Sequence, residues 1–309
     1  MTALFSAVLV AALLPARGLF AELIDGLATA AIMLLFFMHG VKLPRDALWL
    51  ALGNWRLHGT IIAISFGLFP LLGLGLMHLL GAVLSPQLWL GVLFLCVLPS
   101  TVQSSIAFTS IARGNVAAAV TAAGLSNLLG MVLTPLLVSV LIGTSGGAGI
   151  GFDQFSRILW ELFFPFVAGQ VLRPLFITWV SAHKGVVGFT DRSTIILAVY
   201  SAFSAAVVEG IWARIGWGEI GALMGLSGLL LALVMGLGWW TTGRLGFDRG
   251  DRIAMLMAGS KKSLAAGVPM AKVLLSASSV GMALLPLMIF HQIQLIVCAV
   301  LARRLGRAA

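Results

Sequence analysis

Charge is scarce in this 309-residue chain: Asp, Glu, Lys and Arg make up 9% of it, while 60% is hydrophobic. No water-soluble core absorbs so much apolar surface, so the solvent is lipid. At roughly 20 apolar residues per crossing, about ten helices with short connections consume the chain and leave no room for a soluble catalytic domain. Carboxylates are scarcest, with 10 acidic against 19 basic residues. Their near absence from the apolar runs removes the orienting acid that a nucleophile and its base require, which argues against an enzyme. No H-E-x-x-H and no Walker loop occurs. Gly143, Ser145 and Gly147 spell G-x-S-x-G, but without the strand before and helix after that the motif needs. The two cysteines, Cys96 and Cys298, lie in apolar runs without metal-ligand spacing and read as packed free thiols; no cofactor is expected.

What is present is a series of apolar runs, at 1–16, 20–41, 57–81, 88–112, 115–142, 155–180, 191–213, 219–242, 251–274 and 279–302. The first lacks a basic leader and reads as a short helix rather than a cleaved signal. The net charge of +9 does not point to nucleic acid, because the basic residues sit in ones to threes between these runs. They report topology instead. Thirteen fall in the even-numbered connections and the C-terminal tail, against four (Arg17, Arg157, Arg214 and Lys272) on the other side, with Lys261 and Lys262 inside a helix. Lys and Arg in short loops stay in the cytoplasm, so both termini are expected there, in a bacterial inner membrane. All nine tryptophans fall near the ends of runs, as amphipathic rings at the headgroup layer do.

The Gly-rich connection at 143–154 divides the chain into residues 1–142 and 155–309. Five helices in each half make the halves inverted, and prolines mark equivalent positions, Pro135 in helix 5 and Pro286 in helix 10. Helix 4 carries Pro99, Ser100, Thr101, Val102, Gln103, Ser104 and Ser105 near mid-membrane. The proline frees a carbonyl, and the polar side chains either re-satisfy the ladder or face a ligand. Helix 9 carries Gly259, Ser260, Lys261, Lys262 and Ser263 at matching depth. A lysine there costs roughly 2.5 to 3.5 kcal/mol or more, so it must face protein, water or an anion. Crossing half-helices would aim N-terminal ends and unpaired carbonyls at one point. Thr101, Gln103, Lys261, Lys262 and Ser263 are the candidate solute contacts, completed by His291 and Gln294 of helix 10. Thr121, Ser126 and Asn127 of helix 5 and Gln292 of helix 10 could complete the site too, although such residues, His291 and Gln294 included, more often make interhelical hydrogen bonds than ligand contacts. His39 and Glu209 are boundary polar residues able to shuttle protons.

Five stretches carry a family resemblance: FFMHGVKLPRDAL from Phe36, NWRLH from Asn54, LPSTVQSSIAFTSIARGN from Leu98, LSNLLGMVLTPLL from Leu125 and GSKKSLAAGVPMAKVLL from Gly259. The chain resembles the bile acid:sodium symporter superfamily, in the SBF-like branch that includes the seventh member of solute carrier family ten. The resemblance implies an all-α fold of ten helices in two inverted repeats, with helices 4 and 9 unwound and crossing in a core domain that moves against a panel. It also implies sodium as a candidate coupling ion, held by Ser104, Ser105, Ser126 and Asn127 with the segment from Gly259 and Ser260 to Ser263. Where sodium-coupled relatives carry a Glu and a Gln in helix 9, this chain has Ala, Gly and the lysine pair. An ammonium about 4 Å from a sodium ion repels it by roughly 4 kcal/mol at an effective dielectric near 20. One of the lysines instead neutralises an anionic substrate or carries a coupling proton.

The expected function is secondary transport of a small organic anion, driven by Na+ or H+. The alternative is a non-transporting membrane regulator or assembly protein that retains the fold. The expected partners are the solute and the bilayer; substrate identity and oligomeric state are not legible.

Overall fold

The computed structural model describes residues 2–42, 53–142, 156, 159–208, 210 and 215–307. Among these, every regular element is helical. They are α1 (Thr2–Leu13), α2 (Gly18–Lys42), α3 (Trp55–Val83), α4 (Pro86–Cys96), α5 (Gln103–Ile111), α6 (Val116–Leu141), α7 (Leu159–Val171), α8 (Arg173–Ala182), α9 (Lys184–Val208), α10 (Trp217–Arg244), α11 (Arg249–Gly259), α12 (Leu264–Leu274) and α13 (Ala277–Arg307). Six of the described helices, α2, α3, α6, α9, α10 and α13, are long and apolar enough to cross a membrane. A helix bonds its own backbone, so it can lie in lipid where no water is available. The 143–154 connection, including Gly143, Ser145 and Gly147, lies outside the described residues, as does Glu209.

The run expected as one helix over 155–180 is two, α7 and α8, bent by 91°. Pro174, in the first turn of α8, has no N–H for the carbonyl four residues earlier, and its ring crowds that turn. The other interruptions fall where the polar clusters place them: α4 ends at Cys96 and α5 begins at Gln103, while α11 ends at Gly259 and α12 begins at Leu264.

The chain forms two compact units, each drawn from both sequence halves. One comprises Met1–Pro44, Gly143–Ile215 and Val268–Leu284. In it α2 and α7 meet at paired glycines: a Cβ on Gly40 would collide with the Phe166 carbonyl, and one on Gly169 with the Phe37 carbonyl. Lys42 pairs with Asp191 at 2.9 Å and Lys272 with Asp25 at 2.7 Å.

The second unit comprises Arg45–Ile142, Gly216–Gly267 and Leu285–Ala309, and both interruptions at polar clusters belong to it. Its helix starts are capped from the sequence. Asn115 accepts the Ala118 N–H at 3.0 Å to open α6, and Asp248 accepts the Asp251 N–H at 2.8 Å to open α11. Buried Asp251 then accepts Nδ2 of Asn115 at 2.8 Å and of Asn54 at 3.3 Å. One carboxylate thus ties the start of α3 and the α5–α6 turn to α11. Trp89, near the start of α4, is buried and donates Nε1–H to the Gly81 carbonyl at 3.0 Å.

Candidate functional site

The two interruptions lie against each other, and the partners of their backbone groups can be followed one by one. Beyond Cys96 the first interruption has no helical continuation, because Pro99 lacks an N–H and the Ser100 N–H goes to Ser126 Oγ at 3.0 Å. The freed carbonyls all find donors elsewhere. Cys96 and Leu98 accept from Lys262 Nζ at 2.8 and 2.7 Å, and Val97 accepts from Thr134 Oγ1 at 2.7 Å. Pro99 accepts the Ser263 N–H at 2.8 Å, and Ser100 accepts Asn127 Nδ2 at 2.9 Å. Gly130 lets α6 approach: a Cβ there would lie 2.8 Å from Pro99 Cβ.

The second interruption is served from the other direction. Ser100 Oγ donates to the Ala258 carbonyl at 2.5 Å, and Ser65 Oγ to the Gly259 carbonyl at 3.4 Å. Gln294, fully buried on α13, accepts the Lys262 N–H at 2.8 Å and donates Nε2 to the Lys262 carbonyl at 2.9 Å. Those two backbone contacts fix the amide orientation, so the 2.8 Å contact from Gln294 Nε2 makes His291 Nδ1 an acceptor. Ser263 Oγ accepts the Ala266 N–H at 3.1 Å and so caps α12.

A third element enters through α3. Residues Ile64–Leu68 form a π turn in which the Phe69 N–H bonds the Ile64 carbonyl, five residues back. In that register the next carbonyl, of Ser65, would need the N–H of residue 70, which is proline. Its acceptor turns instead to Lys262 Nζ, at 2.7 Å. Three carbonyls therefore converge on one nitrogen, and three protons are what an ammonium has to give. The Phe69 ring lies 4.1 Å from the same nitrogen.

The adjacent lysine has no such shell. Lys261 is equally buried, at 0% exposure, yet no acceptor among the described residues is within hydrogen-bond reach of its Nζ. Its Nζ lies 4.2 Å from the centre of the Phe108 ring of α5. Each remaining candidate has a defined place. Thr101 Oγ1 contacts Ser104 Oγ at 2.7 Å and Ser105 Oγ at 3.2 Å, a hydroxyl cluster at the start of α5. Gln103 is exposed in that first turn, and His291 is half-buried. Ser260 Oγ donates back to the Leu256 carbonyl at 2.5 Å. Ser65, Phe108 and Thr134 went unrecognised in the sequence; Ser65 five residues before Pro70, inside an apolar run, was the available sign for the first.

Residues 1–307 match the sequence profile of the SBF-like CPA transporter family. The chain is similar to "Uncharacterized protein PA2026" of Pseudomonas aeruginosa, 50% identical over 99% of this chain and 92% of that one. It is similar to "Putative symporter YfeH" of Escherichia coli K12, at 49% over 98% and 91%. It is also similar to "Sodium/bile acid cotransporter 7" of Rattus norvegicus, at 27% over 88% and 80%.

Proposed function

Since this chain belongs to the SBF-like CPA transporter family, we propose that it is a secondary transporter that moves a small organic anion by alternating access, coupled to a cation, Na+ or H+. In this reading ten spans form two inverted repeats over residues 1–142 and 155–309. Both termini face the cytoplasm of a bacterial cell. The interrupted pairs α4/α5 and α11/α12 act as crossing half-helices.

The observation that carries the reading is the buried Lys261 Nζ, which has no acceptor among the described residues. Burying an unpaired ion costs several kcal/mol even after relaxation. The Phe108 ring offsets about 2 kcal/mol of that. An anionic solute at the interruption would supply the missing acceptor, with the Thr101, Ser104 and Ser105 hydroxyls near the start of α5 to orient it. The names of the similar proteins, a symporter and a sodium/bile acid cotransporter, agree with transport.

Solute counterflow in proteoliposomes tests the reading, with labelled succinate and a sulfated sterol as first probes. Saturable counterflow of an organic anion is expected in the wild type, and Lys261→Gln should weaken apparent affinity tenfold or more, the equivalent of about 1.4 kcal/mol. A folded protein that supports no counterflow of any organic anion, or a Lys261→Gln variant with unchanged affinity, would contradict it.

A further inference from the structure

We infer that the Lys262 ammonium is a tethered monovalent cation, held in the carbonyl site where a coupling metal ion would otherwise bind, and that transport by this chain therefore does not require sodium. The second clause deepens the transporter reading and rests on it; the first stands on geometry alone.

Unwound carbonyls and half-helix C-terminal ends are the groups with which interrupted membrane helices coordinate a cation. Carbonyl oxygens can take the place of an ion's hydration shell. Here such a set exists, formed by Ser65 O, Cys96 O and Leu98 O, and Lys262 Nζ lies 2.7, 2.8 and 2.7 Å from them. The Ser65 carbonyl is freed by the α3 π turn and the Cys96 and Leu98 carbonyls by the end of α4 at Pro99 and the diverted Ser100 N–H, so the site is built into the backbone. The ammonium also sits where the C-terminal end of α4 is negative. It is reached by a side chain from the facing interruption, at 0% exposure.

The residues that would hold sodium by resemblance each already take part in a hydrogen bond. Ser126 Oγ accepts the Ser100 N–H, and Asn127 Nδ2 donates to the Ser100 and Ala123 carbonyls. Ser260 Oγ donates to Leu256 O, and Gly259 O accepts from Ser65 Oγ. Ser104 and Ser105 share Thr101 Oγ1. Neither interruption contains a carboxylate: residues 97–102 read VLPSTV and residues 260–263 read SKKS. A metal ion would thus add positive charge beside two buried lysines with no carboxylate of either interruption to balance it. With the Lys262 nitrogen already on the three carbonyls and no carboxylate in either interruption, these residues do not fit a sodium ion.

The test is thermal unfolding of the purified full-length protein in detergent, which needs no transport. The wild type should melt at the same temperature when sodium chloride replaces choline chloride. Lys262→Ala should lower the melting temperature by about 10 °C. Millimolar n-propylammonium chloride, which supplies the amine and carbons the substitution removes, should recover most of that shift, while choline should not. A saturable sodium-dependent rise in wild-type melting temperature would overturn the inference, and it decides the matter even if the variant does not fold. A folded Lys262→Ala protein that melts like the wild type would overturn it equally. Neither result bears on whether the protein carries anions, and failed counterflow would leave the carbonyl site untouched.

Discussion

The two interruptions at polar clusters answer the same problem in opposite ways. The α4/α5 interruption is built on a proline and presents carbonyls: five in a row, from Cys96 to Ser100, accept from donors outside their own helix. The α11/α12 interruption contains no proline and supplies donors, chiefly the Lys262 ammonium and the Ser263 N–H. One is mainly an acceptor surface and the other supplies donors to three of its five carbonyls, with Thr134 and Asn127 of α6 serving the other two, so neither could persist in lipid alone. Unsatisfied backbone in a membrane is tolerated only where protein re-satisfies it. The difference also separates two neighbouring lysines. Lys262 has a full set of acceptors, whereas Lys261 has an aromatic ring and a charge still to be matched.

Gln294→Leu should break the arrangement most severely after loss of Lys262 itself. It strips partners from the buried N–H and C=O of Lys262, at about 1–3 kcal/mol each. A loss of about 4 kcal/mol in equilibrium denaturation is the expected result. Gly130→Val forces side-chain atoms into Pro99 and should cost about 2 kcal/mol by the same measurement, as overpacking does. Thr134→Val removes one donor from one carbonyl, that of Val97, and should cost about 1 kcal/mol. Pro70→Ala has the smallest expected effect alone, but it sharpens the comparison. It gives residue 70 an N–H in register with the Ser65 carbonyl, so Lys262→Ala should cost about 1 kcal/mol less in that background, read as non-additivity in a double-mutant cycle.

Much of this unit was legible because lipid makes polar residues conspicuous. Pro99 followed by hydroxyls, and two lysines inside an apolar run, marked the interruptions from sequence alone. The motifs from Asn54 and from Leu98 through Asn115 also gain a reason, since Asn54 and Asn115 both hold Asp251. What escaped reading depended on register or on distant partners. The π turn at Ile64–Leu68 differs from an α turn by one residue in hydrogen bonding, and no hydrophobic period reports that. The α7–α8 bend was missed because Arg173 and Pro174 sit in an otherwise apolar run. The Gly81 carbonyl as the partner of Trp89 is likewise a contact that no pattern of apolar runs reports. Which lysine would be left without acceptors depended on carbonyls more than 150 positions away in the sequence.

That asymmetry is the centre of the account, and it is tested most directly by melting Lys261→Met and Lys262→Met beside the wild type in sodium-free buffer. Removing an unpaired buried charge should leave Lys261→Met as stable as the wild type or more so. Stripping three carbonyls of their donor should make Lys262→Met melt well below both. Equal losses in the two variants, or the greater loss in Lys261→Met, would contradict the assignment of one lysine to the solute and the other to the carbonyl site.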